Sequence, residues 1–225
     1  MQLVIRRYRP SDRDAVVTLF RVGIKEHIQP CFYNAIGSFL HLSVTLSLCV
    51  CGYVLSSLWA ALLLPTAWMA MVYYCCYKVY DGYVRLRLQT DMQDVVGSFL
   101  SRPDDCFWVA EAEVDKRTQV VGMVAVVAKD DGRQKCGELF RMIISPQCRR
   151  MGLGSKLAQT VFDFGKKQGF SKIILETSST QKAGIALYRK LGFRLVRELN
   201  NRELPFWHMW MARVRVLKME KEVLK

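Results

Sequence analysis

The chain has 225 residues, enough for one or two domains with a real core, and 51% of them are hydrophobic, which excludes a disordered polypeptide. Its 33 Lys and Arg against 20 Asp and Glu leave a formal net charge of +13, which favours anionic partners such as phosphates or acidic lipid headgroups. Nucleic acid is not expected, because the basic residues are scattered and no zinc-finger or RNA-recognition pattern is present.

In chain order, residues 3–8 read as a short strand. Arg9-Pro10-Ser11-Asp12-Arg13-Asp14 supplies a turn and an N-cap, and Ala15 to Lys25 has helical character. Arg6, Arg7 and Arg9 follow Met1 closely, so no secretory leader is expected. After Glu26 no Asp, Glu, Lys or Arg occurs until Lys78. The apolar core of this stretch, Phe39 to Tyr77, would be about 58 Å long as one helix, roughly twice a hydrocarbon core of about 30 Å. It therefore reads as two helices near 38–55 and 58–78, broken around Gly52 to Ser57 and kinked at Pro65. They either cross a bilayer twice or enter one leaflet as a hairpin. Arg21 and Lys25 before the stretch, and Lys78, Arg85 and Arg87 after it, place both flanks in the cytoplasm by the positive-inside rule. A very apolar helix pair buried in a soluble protein is the alternative.

The remainder is polar and mixed. A helix is expected from Thr90-Asp91-Met92 to Leu100. Strands are expected at 107–113 and 120–128, joined by Asp115-Lys116-Arg117, and at 138–145. A helix follows at 153–168, a strand at 173–176, a helix at 182–191, and closing strands at 193–198 and 206–213. Arg213, Arg215, Lys218, Lys221 and Lys225 read as a solvated basic tail. This alternation implies an α/β fold with a mixed sheet and helices on its faces. The eight cysteines include no Cys-x-x-Cys pair and no metal-ligand spacing, so reduced thiols and no metal are expected. His27, His41 and His208 show no metal or triad spacing either.

The segment that carries chemistry runs from Glu138 to Ala158. A strand enters Arg149-x-x-Gly152-x-Gly154, where a helix begins. Glycines permit close backbone approach, and the first amides and dipole of the helix make an anion site suited to a pyrophosphate. Arg149, Arg150 and Lys156 add positive charge. The run fits a dinucleotide fingerprint only in part, since Leu157 stands where a third Gly or Ala is expected. A tight turn without a ligand is the structural alternative.

This loop resembles motif A of the GNAT superfamily of N-acetyltransferases, and Ala186-Leu187-Tyr188-Arg189-Lys190-Leu191-Gly192-Phe193 resembles its motif B. The Thr90-Asp91-Met92-x-Asp94 run, the Cys106-Phe107-Trp108-Val109-Ala110 strand and the apolar insert resemble the camello-like (N-acetyltransferase 8) group. That group includes cysteine-S-conjugate and aspartate N-acetyltransferases and is associated mainly with the endoplasmic reticulum membrane. The resemblance implies a GNAT acyl-CoA N-acyltransferase fold with an inserted two-helix membrane hairpin. Residues 1–27 would supply the first strand and helix, 28–80 the insert, and 81–225 the rest of the catalytic domain. Acetyl-CoA is the implied co-substrate. Backbone groups of Met142, Ile143 and Ile144 would pair with its pantetheine arm, and an amide there would hold the oxyanion. Arg149, Arg150, Met151, Gly152, Leu153, Gly154 and Ser155 would cradle the pyrophosphate. Gln181 stands where many members carry a cofactor-contacting asparagine.

Direct transfer to an amine needs a base and an acid. Glu138 lies roughly where histone-acetylating members carry a base glutamate, Glu176 is a second base candidate, and Tyr188 is the implied acid for the departing sulfur. Plain structural roles are the alternative for all three. Arg85 and Arg87 are candidates for a substrate carboxylate, or else mark the headgroup boundary. Arg141, a further substrate-binding candidate, lies on the face of its strand opposite Glu138 unless the strand bulges. The expected acceptor is the primary amine of a small amino-acid derivative such as a cysteine S-conjugate, with aspartate and then a protein lysine or N-terminal amine behind it. A non-catalytic acetyl-CoA-binding membrane adaptor is the rival from another class. The expected location is the endoplasmic reticulum membrane, with the catalytic domain on the cytosolic side.

Overall fold

The computed structural model describes residues 3–55, 58–114, 117–130, 132, 134–199 and 205–223. Among them seven strands form one sheet: β1 (Leu3–Arg7), β2 (Cys106–Val114), β3 (Arg117–Asp130), β4 (Lys135–Ile144), β5 (Lys172–Ser178), β6 (Arg194–Leu199) and β7 (Val216–Glu222). Their order is β1-β2-β3-β4-β5-β7-β6, and only the β4–β5 pair is parallel. The helices are α1 (Arg13–Lys25), α2 (Ile28–Ile36), α3 (Phe39–Val54), α4 (Leu58–Gln89), α5 (Val95–Phe99), α6 (Leu153–Lys167), α7 (Lys182–Lys190) and α8 (Phe206–Met211).

Both faces of the sheet are covered, which explains why residues 121–126 form an unbroken buried run rather than an alternating one. The side chains still sort with period two. Phe107, Val109, Met123 and Ala125 pack toward α1, α2, α4, α5 and α8. Trp108, Ala110, Val124 and Val126 pack toward α6 and Phe170. The eight cysteines are all free thiols; Cys31, Cys75, Cys76, Cys106 and Cys148 are buried in the two cores, and Cys136 is buried outside them.

Several expectations are corrected by the packing. The helix expected to end near residue 78 continues to Gln89, so the boundary expected at residue 80 falls inside α4. The lone Gly82 does not break it, and Val79, Tyr80, Asp81 and Val84 are buried against the domain. The break expected around Gly52 to Ser57 does separate the two helices, since α3 ends at Val54 and α4 begins at Leu58; Gly52 lies just inside α3, where a Cβ would come 2.5 Å from the Ala61 backbone, so this glycine lets the two helices approach closely. Ser56 and Ser57, in the expected break, lie outside the described residues, as do Asp115 and Lys116 of the expected turn and Lys225. The helix expected from Thr90 is only α5, capped by Asp94, which accepts from the Gly97 amide at 2.9 Å. Residues 206–211 are helix, not strand. A short aromatic run does not distinguish the two by period, and Met209, Met211 and Ala212 bury it on the α4 side. The closing strand is instead β7, which runs through the expected basic tail. Leu217 and Met219 alternate into the core while Lys218 and Glu220 point away, and Lys172 pairs with Glu220 at 3.0 Å.

The feature that positions the site is in β4. Met123 pairs with Ile143 but Ala125 with Phe140, so β4 carries one extra residue, and Arg141 there has φ 53°. A left-handed non-glycine residue costs about 1–3 kcal/mol and persists only where its surroundings hold it. The Arg141 side chain is 5% exposed. It donates to the Tyr83 hydroxyl at 2.6 Å, forms an ion pair with Asp91, and lies against the rings of Phe20, Tyr83 and Phe140. Beyond the bulge β4 and β5 part, because their ladder ends at Leu139↔Leu175. Arg141→Leu should therefore leave Asp91 and Tyr83 without a partner and lower stability by about 1–3 kcal/mol in denaturant titrations of detergent-solubilised protein.

Candidate active site

A cavity of about 990 Å³ opens where β4 and β5 diverge. Its walls bring together most residues that the sequence singled out. Glu138, Arg141, Met142, Ile143, Ile144, Arg149, Arg150, Gly152, Leu153, Gly154, Ser155, Glu176, Gln181, Tyr188 and Arg87 all line it. Two candidates do not. Met151 is half-exposed and borders a separate small cleft with Leu3, Cys148 and Lys156. Arg85 is absent from the cavity lining and pairs at 2.6 Å with the buried carboxylate of Asp81.

At one end of the cavity lies the N-terminus of α6. Gly152 is its N-cap with φ 77°, a conformation that a side chain makes costly, and a Cβ added there would meet nothing within 4 Å. Arg150 is also left-handed, at φ 61°. The first helical hydrogen bond is donated by Lys156 to the Gly152 carbonyl, and no side chain caps the helix. The amides of Leu153, Gly154 and Ser155 thus face the cavity end with no intrahelical acceptor, a cradle suited to a pyrophosphate. The two glycines do different work. A Cβ on Gly154 would come 2.7 Å from Leu187 Cδ2 and 3.1 Å from Ile144 Cδ1, so that glycine lets α6 pack on β4 and α7. Arg149 does not stand free as a phosphate ligand. It pairs with Glu26 and donates to the Ile144 carbonyl at 3.0 and 3.1 Å, which ties the end of α1 to the end of β4.

Along the opening, β4 has no partner on its β5 side from Phe140 onward among the described residues. Glu138 sits at the apex, 8% exposed, and forms an ion pair with Lys129 of β3. Glu176 is exposed on β5 and lines the same cavity. Gln181 caps the entry to α7, and its side-chain oxygen accepts from the Thr177 hydroxyl at 2.9 Å. Tyr188 is held edge-on to Phe193, and its hydroxyl has no hydrogen-bond partner among the described residues. Burial pushes its pKa up to about 12.

Apart from Arg87, the opposite wall was not legible in sequence. Phe20, Gly23, Glu26 and His27 come from α1 and its end, and Val79, Tyr80, Tyr83 and Arg87 form one face of α4. The Tyr80 hydroxyl bonds to Ser178 at 3.0 Å and to Thr180. Burial lowers the His27 pKa below its ordinary value, opposed by the neighbouring Glu26 carboxylate and helped by Arg149. The signal was the spacing of Val79, Tyr80, Tyr83 and Arg87 on a helix, masked by the reading of that stretch as insert and flank. No group of three or more His, Cys, Asp or Glu suited to a metal occurs among the described residues.

The chain matches the model of the Acetyltransferase (GNAT) family over residues 73–193, more than half its length. It is 34% identical to human N-acetyltransferase 8B over 92% of this chain and 88% of that protein. Identity to human N-acetyltransferase 8 is 36%, over 84% and 83%, and to the probable N-acetyltransferase camello of Xenopus laevis 33%, over 84% and 85%. A GNAT-family acetyltransferase structure from Staphylococcus aureus superposes with a TM-score of 0.58 at 15% identity, covering 99% of this chain and all of that one. The NatC complex bound to Gag peptide and CoA gives a TM-score of 0.50 at 17% identity, over 58% and 79%. These distant structures share the fold.

The two glycines separate binding from packing. Gly152→Val should abolish acetyl-CoA binding in calorimetry while leaving the fold intact by circular dichroism. Gly154→Val should lower stability by about 1–3 kcal/mol through overpacking against Leu187 and Ile144.

Proposed function

The chain belongs to the GNAT family of acetyltransferases, in its N-acetyltransferase 8 group, and is an acetyl-CoA-dependent N-acetyltransferase; on that premise we propose that it acetylates the primary amine of a small amino-acid derivative, a cysteine S-conjugate first, while anchored in the endoplasmic reticulum membrane. The observation that carries the reading is the parted edge between β4 and β5, with an uncapped helix N-terminus at one end and paired base and acid candidates along it.

In this reading the amides at the start of α6 hold the pyrophosphate, and the open edge of β4 past the bulge binds the pantetheine arm as an added strand. An amide on that edge stabilises the developing oxyanion. Glu138 removes the proton from the attacking ammonium. The amine nitrogen bonds to the acetyl carbon, the carbon–sulfur bond breaks, and the sulfur leaves as a thiolate that takes the second proton shed by that nitrogen as it becomes an amide, so CoA departs as a thiol. A tyrosine with a pKa of about 12 is a weaker acid than a thiol of about 8.5, so full transfer from Tyr188 is uphill. Tyr188 therefore acts by donating a hydrogen bond to the departing sulfur. The α1–α4 wall receives the acceptor. Tyr83 offers aromatic surface for an apolar S-substituent, backed by the buried Phe20 and Tyr80, and Arg87 offers a guanidinium for the amino-acid carboxylate.

Membrane anchoring is supported by α3 and α4. Among the described residues α4 is the one helix long and apolar enough to cross a membrane by itself. Phe39, Leu46 and Tyr53 on α3, and Leu58, Trp59 and Leu62 on α4, are mostly exposed, a larger apolar surface than a soluble monomer presents. The pairing of β1 with β2 in one sheet supports a hairpin whose two ends share one side of the bilayer, and the flanking cations favour the cytosolic side.

The purified protein with acetyl-CoA should acetylate cysteine S-conjugates with a higher kcat/KM than aspartate or lysine peptides; preference for either of the latter overturns the acceptor assignment. Tyr188→Phe should lower kcat by about ten- to a hundredfold, the worth of a charge-assisted hydrogen bond, with acetyl-CoA affinity unchanged. Because burial keeps Tyr188 protonated, the wild-type rate should show no alkaline fall near pH 10 that this variant removes. Glu138→Gln should cost more kcat than Glu176→Gln.

A further inference from the structure

The hairpin is too short to explain the whole apolar surface. Its lipid-facing part on α3 is Phe39–Val54, and on α4 it runs from Leu58 to Met71, since Val72, Cys75 and Cys76 are already buried in the domain. At 1.5 Å per residue these arms are about 24 Å and 21 Å long. A hydrocarbon core of about 30 Å with headgroups on either side makes a half-bilayer of about 20–22 Å. A hairpin in one leaflet therefore brings its root to the headgroup layer, and one that crosses pulls its root deeper still.

At that root sits α8. Its place is set by the hairpin itself: the His41 Nε2 on α3 meets the Met211 carbonyl at 2.9 Å, and the Cys31 thiol on α2 donates to the Ala212 carbonyl at 3.5 Å. Met209 and Met211 are buried. The rest of the helix turns outward, with Phe206 68%, Trp207 50% and Trp210 53% exposed. The His208 ring stacks on Trp207 and lies 6.3 Å from Tyr74 of α4, so the aromatic surface is continuous with the exposed face of the hairpin. Lys78 lies 5.2 Å over the Tyr74 ring, and Arg213 is exposed just past the helix. Aromatic side chains beside cations at one level match the chemistry of an anionic headgroup layer.

We propose that α8 is a second membrane contact, with Phe206, Trp207 and Trp210 seated among the headgroups and upper acyl chains of the bilayer into which the hairpin inserts. The inference rests on the hairpin being membrane-embedded, and it adds that the catalytic domain lies against the lipid surface rather than swinging on a stalk. Met209 of the same helix and Val214 just after it line the catalytic cavity, so the lipid contact and the cavity wall share one short segment.

The test uses the full chain in vesicles of phosphatidylcholine with one-fifth phosphatidylserine, containing lipids brominated near the carbonyl end of the acyl chains. The variant W59F/W68F keeps Trp207 and Trp210 as reporters, and W68F/W207F/W210F keeps Trp59 in the hairpin. Both keep Trp108, which is packed against Phe164 in the core and serves as an unquenched constant. The expected result is that bromine roughly halves the Trp207 and Trp210 emission, as for residues of an interfacial aromatic belt. If W68F destabilises the protein, the same signal is read as the quenching lost between the unsubstituted protein and W207F/W210F. Quenching of Trp59 without quenching at α8 overturns this proposal and leaves the anchored hairpin standing; quenching of neither overturns both. Shielding of Trp207 and Trp210 from acrylamide without bromine quenching means that protein, such as a second copy of the chain, covers the face, and also overturns it.

Discussion

The catalytic cleft depends on one extra residue in β4. A strand that kept register with its neighbours would zip to β5 along its whole length and leave no room for a ligand. The bulge at Arg141 stops the ladder at Leu139↔Leu175, and the two strands part. What keeps a left-handed arginine in place is burial of its guanidinium, paired with Asp91 and Tyr83 and enclosed by aromatic rings. The same side chain therefore fixes the backbone of β4, the position of the turn after α4 and the side of α1. Glu138, before the bulge, and Met142 to Ile144, after it, face the cavity as a consequence.

The second organising element is α4. Its first half is a lipid-like surface and its second half is a cavity wall, with no break between them. Asp81, at the junction, takes Lys25 of α1 at 2.6 Å and Arg85 at 2.6 Å. The adjacent Tyr80 reaches Ser178 and Thr180 at the end of β5. The apolar arm and the cavity wall are thus parts of one continuous helix. The match to the family model begins at residue 73, inside this helix, so the apolar arm grows out of a helix of the family's own fold.

The chemistry of the cleft follows from unequal burial of its titratable groups. Tyr188 is kept protonated by its apolar surroundings, and Glu138 is buried at the apex with the cationic Lys129 beside it. Two of the three basic groups that the loop places near the cofactor are otherwise engaged or turned aside: Arg149 is held by Glu26 and the Ile144 carbonyl, and Lys156 faces the small cleft beside Met151. Backbone amides at the start of α6, rather than side-chain cations, are left as the main anion-binding groups.

Local sequence signals located most of this architecture. Glycine spacing after an apolar strand marked the α6 N-terminus, motif landmarks marked Tyr188, and the charge-free stretch marked the hairpin arms, because each depends on a few neighbouring residues. The readings that differed are those where long-range packing overrode local pattern. The aromatic run at 206–211 is a helix whose Met209 and Met211 are buried on the α4 side beside His41, and the charged segment after it is a sheet strand that pairs with the free edges of β5 and β6. By itself, then, the sequence determined the elements, the anion cradle and the family chemistry, all written in short-range spacing and periodicity. The tertiary structure decided the bulge, the parting of β4 from β5 and the α4 wall that completes the cleft, because each arises from contacts between residues far apart in sequence.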